Sequence, residues 1–200
     1  MYQQVKQRIA QAKAEKWKHL DLGNCRLTNL AAQVPELFTL TDLTLLNLSG
    51  NQLTNVSGLS GLSTLVTLNL NSNQLTDISP LSGLTALTTL GLGNNQLIDV
   101  SPLSGLAALK VLNLMSNKLT NISGLSNLSA LTELHLHNNV KYKENYWSFQ
   151  NPDNGYIALR LQNGDIVRGC ICCNKDKFIE AVIEKYGNLH PYIAWANRKD

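Results

Sequence analysis

The stretch Leu87-Thr88-Thr89-Leu90-Gly91-Leu92-Gly93-Asn94-Asn95-Gln96-Leu97 has leucine at its first, fourth, sixth and eleventh positions and asparagine at its ninth. The same pattern, L-x-x-L-x-L-x-x-N-x-L, starts at Leu43, Leu65 and Leu109, so the four copies are spaced 22 residues apart, and a truncated copy starts at Leu131. A fixed period of that length means one structural unit repeated. Each unit is expected to supply a short parallel strand and a tight turn, and stacking the units buries the leucines in a continuous core. Working outward, Trp17-x-x-Leu20-x-Leu22-x-x-Cys25-x-Leu27 reads as an earlier copy, about four residues longer, with Cys where the others have Asn. That cysteine reads as a buried turn residue rather than a reactive thiol.

Within each unit the four leucines point inward, and Asn51, Asn73, Asn95 and Asn117 hold the bend. A carboxamide suits that place because it can bond unpaired backbone groups inside the turn, forming a ladder down the stack. The second half, as in Leu75-Thr-Asp-Ile-Ser-Pro-Leu-Ser-Gly-Leu84, sends Ile78, Leu81 and Leu84 to the core. Pro80 and Gly83 there permit only turns or short 3₁₀ pieces, so the convex side is expected to be thin. Asp77 and Asp99, one repeat apart, are expected to bond their own turns.

These motifs resemble the 22-residue leucine-rich-repeat class found in bacterial internalin-like proteins and in phosphatase-regulatory repeat subunits. The resemblance covers 17–139 and implies protein binding through a concave strand face, without naming the protein bound. The opening, from Ile9-Ala-Gln-Ala-Lys13 into Leu20-Asp-Leu22, is more similar to bacterial cytosolic repeat proteins than to secreted internalins.

Composition narrows the function. The chain has 200 residues, 44% of them hydrophobic, which suffices for one extended repeat domain and a small appendage. Lys plus Arg against Asp plus Glu is six to four over 1–42, two to three over 43–140 and nine to seven over 141–200. The array is nearly uncharged, so the basic stripe that nucleic-acid binding needs is missing. No apolar run approaches the ~20 residues of a membrane span, and 1–18 has no signal-peptide core. A cytoplasmic monomer is therefore expected, with no membrane or nucleic-acid partner. Cys25, Cys170, Cys172 and Cys173 are too few and too clustered for a secreted disulfide framework and read as reduced thiols. The N-x-S stretches at Asn47, Asn55, Asn121 and Asn127 then read as by-products of an Asn- and Ser-rich repeat.

The ends differ from the array. Tyr2, Val5, Ile9 and Ala12 recur at helical spacing, so 1–16 is expected to form an amphipathic helix that caps the exposed end of the leucine core. Repeats fill 17–139, six in all with the last truncated, because Lys141 falls where the next eleventh-position leucine belongs. Nine of the twelve aromatic residues follow, from Tyr142 onward. The segment 140–154 reads as an aromatic cap or linker in which Tyr142, Tyr146, Trp147 and Phe149 cover the last leucines, Leu131, Leu134 and Leu136. Over 155–200 a small module is expected. Its strands are Tyr156 to Leu161 and Ile166 to Cys172, joined through Asn163-Gly164. A helix capped by Asn174, with Phe178, Ile179, Val182, Ile183 and Tyr186 on its apolar face, ends at Gly187. This hairpin and helix are similar to a small C-terminal module of some bacterial and phage-type repeat proteins; Gly169-Cys170 fits it and Cys172-Cys173-Asn174 departs from it.

Chemistry has little footing. No P-loop, dinucleotide fingerprint or nucleophile elbow is present, and the array glycines recur with the repeat. Glu133, His135 and His137 alternate along the last strand and so share the concave face, where they could hold zinc. The plainer reading is a terminal repeat that tolerates polar residues facing solvent, since no fourth ligand is evident. Cys170-Ile-Cys172-Cys173 lacks the spacing of a zinc site, and small buried hydrophobes or a redox pair remain its readings. The face otherwise reads as bland, without the Trp, Tyr and Arg that mark interface hot spots. The expected architecture is thus an α/β repeat solenoid, a curved leucine-rich-repeat array with parallel concave strands, an N-terminal helical cap and a C-terminal hairpin-plus-helix module. The expected role is non-catalytic binding of a partner protein, with no cofactor or metal. Contact is expected at Val111, Asn113, Met115, Glu133, His135 and His137 and the adjoining aromatic segment. The alternative is a structural spacer whose C-terminal module carries the activity.

Overall fold

The computed structural model describes residues 2–119, 123–125, 127–135, 139, 156–160 and 166–170. Helix α1 spans Tyr2–Ala14 and is followed by six three-residue strands: β1 His19–Asp21, β2 Leu45–Asn47, β3 Thr67–Asn69, β4 Thr89–Gly91, β5 Val111–Asn113 and β6 Glu133–His135. They form one parallel sheet in sequence order. The register steps by one full repeat at a time, Leu46 pairing with Leu68, Leu68 with Leu90 and Leu90 with Leu112. A four-residue helix α2, Leu30–Gln33, precedes the 3₁₀ segment Pro35–Thr39, and 3₁₀ segments of three to five residues return the chain in each later repeat, at Ser57–Gly61, Ser79–Leu81, Ser101–Leu103 and Ser123–Leu125. The predicted α/β solenoid, with its thin convex side, is what forms.

The core is the leucine column. Leu43, Leu46, Leu48 and Leu53, and their equivalents in the next two repeats, are buried at 0–1% exposure, and Ile78, Leu81 and Leu84 join them from the return segment. In each strand the middle residue is buried and its neighbours are more open, the alternation that sheet geometry imposes, except that Gly91 of β4 is buried too. The eighth position bends back in the left-handed region: Asn24, Gly50, Ser72, Asn94 and Ser116 have φ of +52° to +66°. Small polar residues and glycine populate that position because bulkier side chains crowd the backbone there.

The asparagine ladder is explicit. Asn95 Oδ1 accepts from Leu75 N–H at 3.0 Å, and its Nδ2 donates to the carbonyls of Leu70 and Leu92, each at 3.0 Å. Asn73 and Asn117 repeat this arrangement one unit away on either side. Asn51 serves two amides, of Cys25 and Leu27. Asn139 continues the ladder into the truncated copy, accepting from Leu119 N–H and donating to Leu114 O.

At the N-terminus Val5, Ile9 and Ala12 of α1 are buried in the same core. Tyr2, expected on that apolar face, is instead exposed; its hydroxyl donates to the Gln33 carbonyl and its ring lies 4.9 Å from the Lys6 ammonium. An amphipathic ring at the first turn of the helix can lie at the surface with its hydroxyl bonded to a neighbouring carbonyl. The helix also stops two residues short of the sixteen expected, and Lys16 turns left-handed at φ +52°. At the other end β7, Tyr156–Arg160, pairs antiparallel with β8, Ile166–Cys170; Leu161, Ile171 and Cys172 lie outside the described residues. The pairs Arg160 with Ile166 and Tyr156 with Cys170 centre the ladder on Asn163. The expected Tyr142–Phe149 cap, the helix after Asn174, Cys172 and Cys173 lie outside the described residues.

Candidate functional site: the strand face

The outward positions of β1 to β6 form a continuous face to which every strand of the parallel sheet contributes side chains. Its first row is His19, Leu45, Thr67, Thr89, Val111 and Glu133, and its second is Asp21, Asn47, Asn69, Gly91, Asn113 and His135, placed by the register of the sheet. A third row, Gly23, Ser49, Asn71, Gly93 and Met115, follows two residues on.

The second and third rows are coupled. The fifth-position side chain accepts the backbone N–H two residues later: Asp21 from Gly23, Asn47 from Ser49, Asn69 from Asn71 and Asn113 from Met115, at 2.9–3.1 Å. Gly91 has no side chain to do this. Asn71, from the neighbouring repeat, fills the role, its Oδ1 accepting from Gly93 N–H at 2.6 Å. The two glycines make the floor low at mid-face. A Cβ on Gly91 would lie 2.8 Å from Asn71 Nδ2, and one on Gly93 would lie 2.9 Å from Asn113 Oδ1 and from Met115 Cγ, so the flanking side chains lean over both. Sequence reading treated these glycines as turn residues of the repeat. The signal that separates them is their position, because Gly91 and Gly93 stand on the second and third rows of the face, where the two repeats before and the one after carry Asn, Ser or Met.

Of the expected contact residues, Val111, Asn113, Met115, Glu133 and His135 lie together on adjoining strands and are half-buried. His137 lies outside the described residues. Glu133 Oε1 and His135 Nε2 are 2.7 Å apart, so the carboxylate and the imidazole pair with each other. Among the described residues no group of three or more metal-ligating side chains occurs. Cys25 is half-buried, slightly more open than expected. Burial pushes its thiol up, and the protonated S–H donates to the Gly23 carbonyl at 3.4 Å. Asp77 and Asp99 behave as expected. Each accepts from the hydroxyl and the backbone N–H of the serine two residues on, and these bonds hold both carboxyls below their ordinary range.

A family model described as "Leucine Rich repeats (2 copies)" matches residues 63–105. This is a leucine-rich-repeat protein. Among solved structures its array is similar to an internalin (inlF) from Listeria monocytogenes, with 26% identity and a TM-score of 0.54 over 69% of this chain and 49% of that one. An internalin C2 (inlC2) from the same organism aligns with 31% identity and a TM-score of 0.49, covering 69% of this chain and 83% of that one. The leucine-rich-repeat chain thus spans about half the length of the first of these internalins. No curated protein matches it at a significant level. Solenoids of this class serve as protein-interaction scaffolds through the extended face that their stacked strands create. Among the described residues no helix is long and apolar enough to cross a membrane.

Proposed function

We propose that this leucine-rich-repeat protein binds a partner protein, without catalysis, through the C-terminal half of its strand face. The contacts are Val111, Asn113, Met115, Glu133, His135 and His137, with the aromatic segment that follows. The supporting observation is where the face changes character. Between Leu45 and Asn113 its strand rows hold only Leu, Val, Thr, Asn, Ser and Gly, whereas Met115 and the Glu133–His135 pair add a polarisable side chain and charge. Thioether side chains adapt to irregular partner surfaces, and charge supplies register. A cytoplasmic monomer that binds neither nucleic acid nor membrane completes the reading.

The test is affinity capture by the full chain, comparing wild type with Met115→Ala and with the double variant His135→Ala, His137→Ala. Captured partner should fall at least tenfold in the double variant while the melting temperature stays unchanged. The near-identity of the central repeats favours a second reading, in which the array is a rigid spacer and the C-terminal module binds. Capture that is indifferent to every strand-face substitution would select it.

A further inference from the structure

Resting on the strand-face reading above, we infer that Gly93 is a positioning residue of the contact surface. By leaving its place on the third row empty it lets the Met115 side chain lie over it, and so sets how the thioether meets a partner. Glycine is not needed there for the backbone. Among the described glycines a left-handed φ occurs at Gly50 and not at Gly93, so the chain at 93 would admit an ordinary L-residue. What the glycine supplies is space. Ser49 and Asn71 carry side chains at the same place in the two earlier repeats, whereas Gly93, on an outward position, is itself buried. A Cβ on it would stand 2.9 Å from both Met115 Cγ and Asn113 Oδ1, well inside the ~3.5–4.0 Å at which carbon atoms rest against each other.

Hydrogen bonds decide which neighbour would yield. Asn113 Oδ1 accepts from Met115 N–H at 3.0 Å. The Met115 carbonyl accepts from Asn94 N–H at 2.8 Å and from Asn117 Nδ2 at 3.2 Å. The Asn113 carboxamide and the Met115 backbone are thereby tied down, and the unbranched thioether arm, with its three rotatable bonds, is what a side chain at 93 displaces. Gly91 differs. The nearest atoms to a Cβ there belong to Asn71 and Asn69 of the preceding repeat, not to Met115. The residue at 93 therefore controls a contact residue one repeat away, and the determinants of the binding surface begin a repeat earlier than its contacts.

Met1 and Met115 are the two methionines of the chain, so the full chain labelled at its methionine methyl groups gives two magnetic-resonance signals, assigned with Met115→Leu. Gly93→Ala should move the Met115 signal and at least double its broadening by a soluble nitroxide. Gly83→Ala, on a return segment where nothing lies within 4 Å of the new Cβ, should leave it in place. Gly93→Ser, which brings in the residue found at Ser49, repeats the test with a second variant, and the melting temperature checks that each array is intact. A Met115 signal unmoved by both substitutions overturns the inference whatever the partner is. Binding is then read with the protein that the wild-type chain captures. Gly93→Ala should weaken it severalfold, and in a Met115→Ala chain the same substitution should change it less than twofold, because the arm it displaces is gone. Equal losses in the two backgrounds would mean that residue 93 obstructs the partner directly; the inference then falls and the strand face stands. If Met115→Ala alone leaves binding unchanged, the contact reading at Met115 falls, and the inference with it.

Discussion

A single buried carboxamide does the most work per atom in this fold. Asn95 bonds Leu75 N–H, Leu70 O and Leu92 O at once; Asn95→Ala strands the buried Leu75 N–H, while Leu70 O keeps Asn73 and Leu92 O keeps Asn117 as donors. At about 1–3 kcal/mol for one unsatisfied buried group, the loss should be about 1–3 kcal/mol by denaturant unfolding. The left-handed eighth position responds in the opposite sense to side-chain removal. Ser72 sits at φ +57°, so Ser72→Gly should raise stability by up to ~1 kcal/mol, and Asn94→Val, at φ +54°, should lower it by ~1–2 kcal/mol. Acid acts through Asp77 and Asp99. Their carboxyls are held low by the Ser79 and Ser101 bonds, so their contribution is present above the ordinary aspartate range and fades as pH falls through the depressed values. The double variant Asp77→Asn, Asp99→Asn should therefore show a shallower loss of melting temperature between pH 5 and ~3 than wild type. An equal slope in both would mean that the two serine bonds carry no net free energy.

At the scale of elements, strands three residues long could not stand alone. They persist because each Leu at mid-strand is sealed between the repeats before and after, which is also why the strands were legible from leucine spacing and not from strand propensity. The 3₁₀ returns were legible from Pro80 and Gly83 for the same kind of reason, since both residues restrict the backbone locally. Local signals failed where the outcome depended on a distant partner. Tyr2 fits a helical stripe by spacing, yet the Gln33 carbonyl draws its hydroxyl outward. Gly91 looks like any turn glycine until Asn71 is seen reaching across a repeat to serve Gly93. The Asn163-Gly164 dipeptide marks the hairpin whose strands Tyr156–Arg160 and Ile166–Cys170 pair antiparallel. The cap makes a testable element. Ile9 is buried at 1% exposure in the leucine core, so Ile9→Ala should cost about 2–4 kcal/mol. Tyr2→Phe, at the exposed edge of the same helix, should change stability by less than ~1 kcal/mol.

For the whole molecule, a solenoid is held by nearest-neighbour interfaces, so stability and recognition both accumulate along one axis. The core column was fully legible in the 22-residue period; the binding face was legible only as the set of positions left over, since a face made of Asn, Thr and Gly announces no chemistry until its hydrogen bonds are traced. Those bonds tie the second and third rows of the face together, and the Glu133–His135 pair adds charge at its C-terminal end. Binding should consequently leave its imprint on the array itself. The most direct measurement is amide hydrogen exchange of the full chain, with and without saturating partner recovered by affinity capture. The account expects slowed exchange across β4 to β6, strongest around Val111–Met115 and Glu133–His135. Protection confined to 141–200, with the exchange of β1 to β6 unchanged, would contradict it.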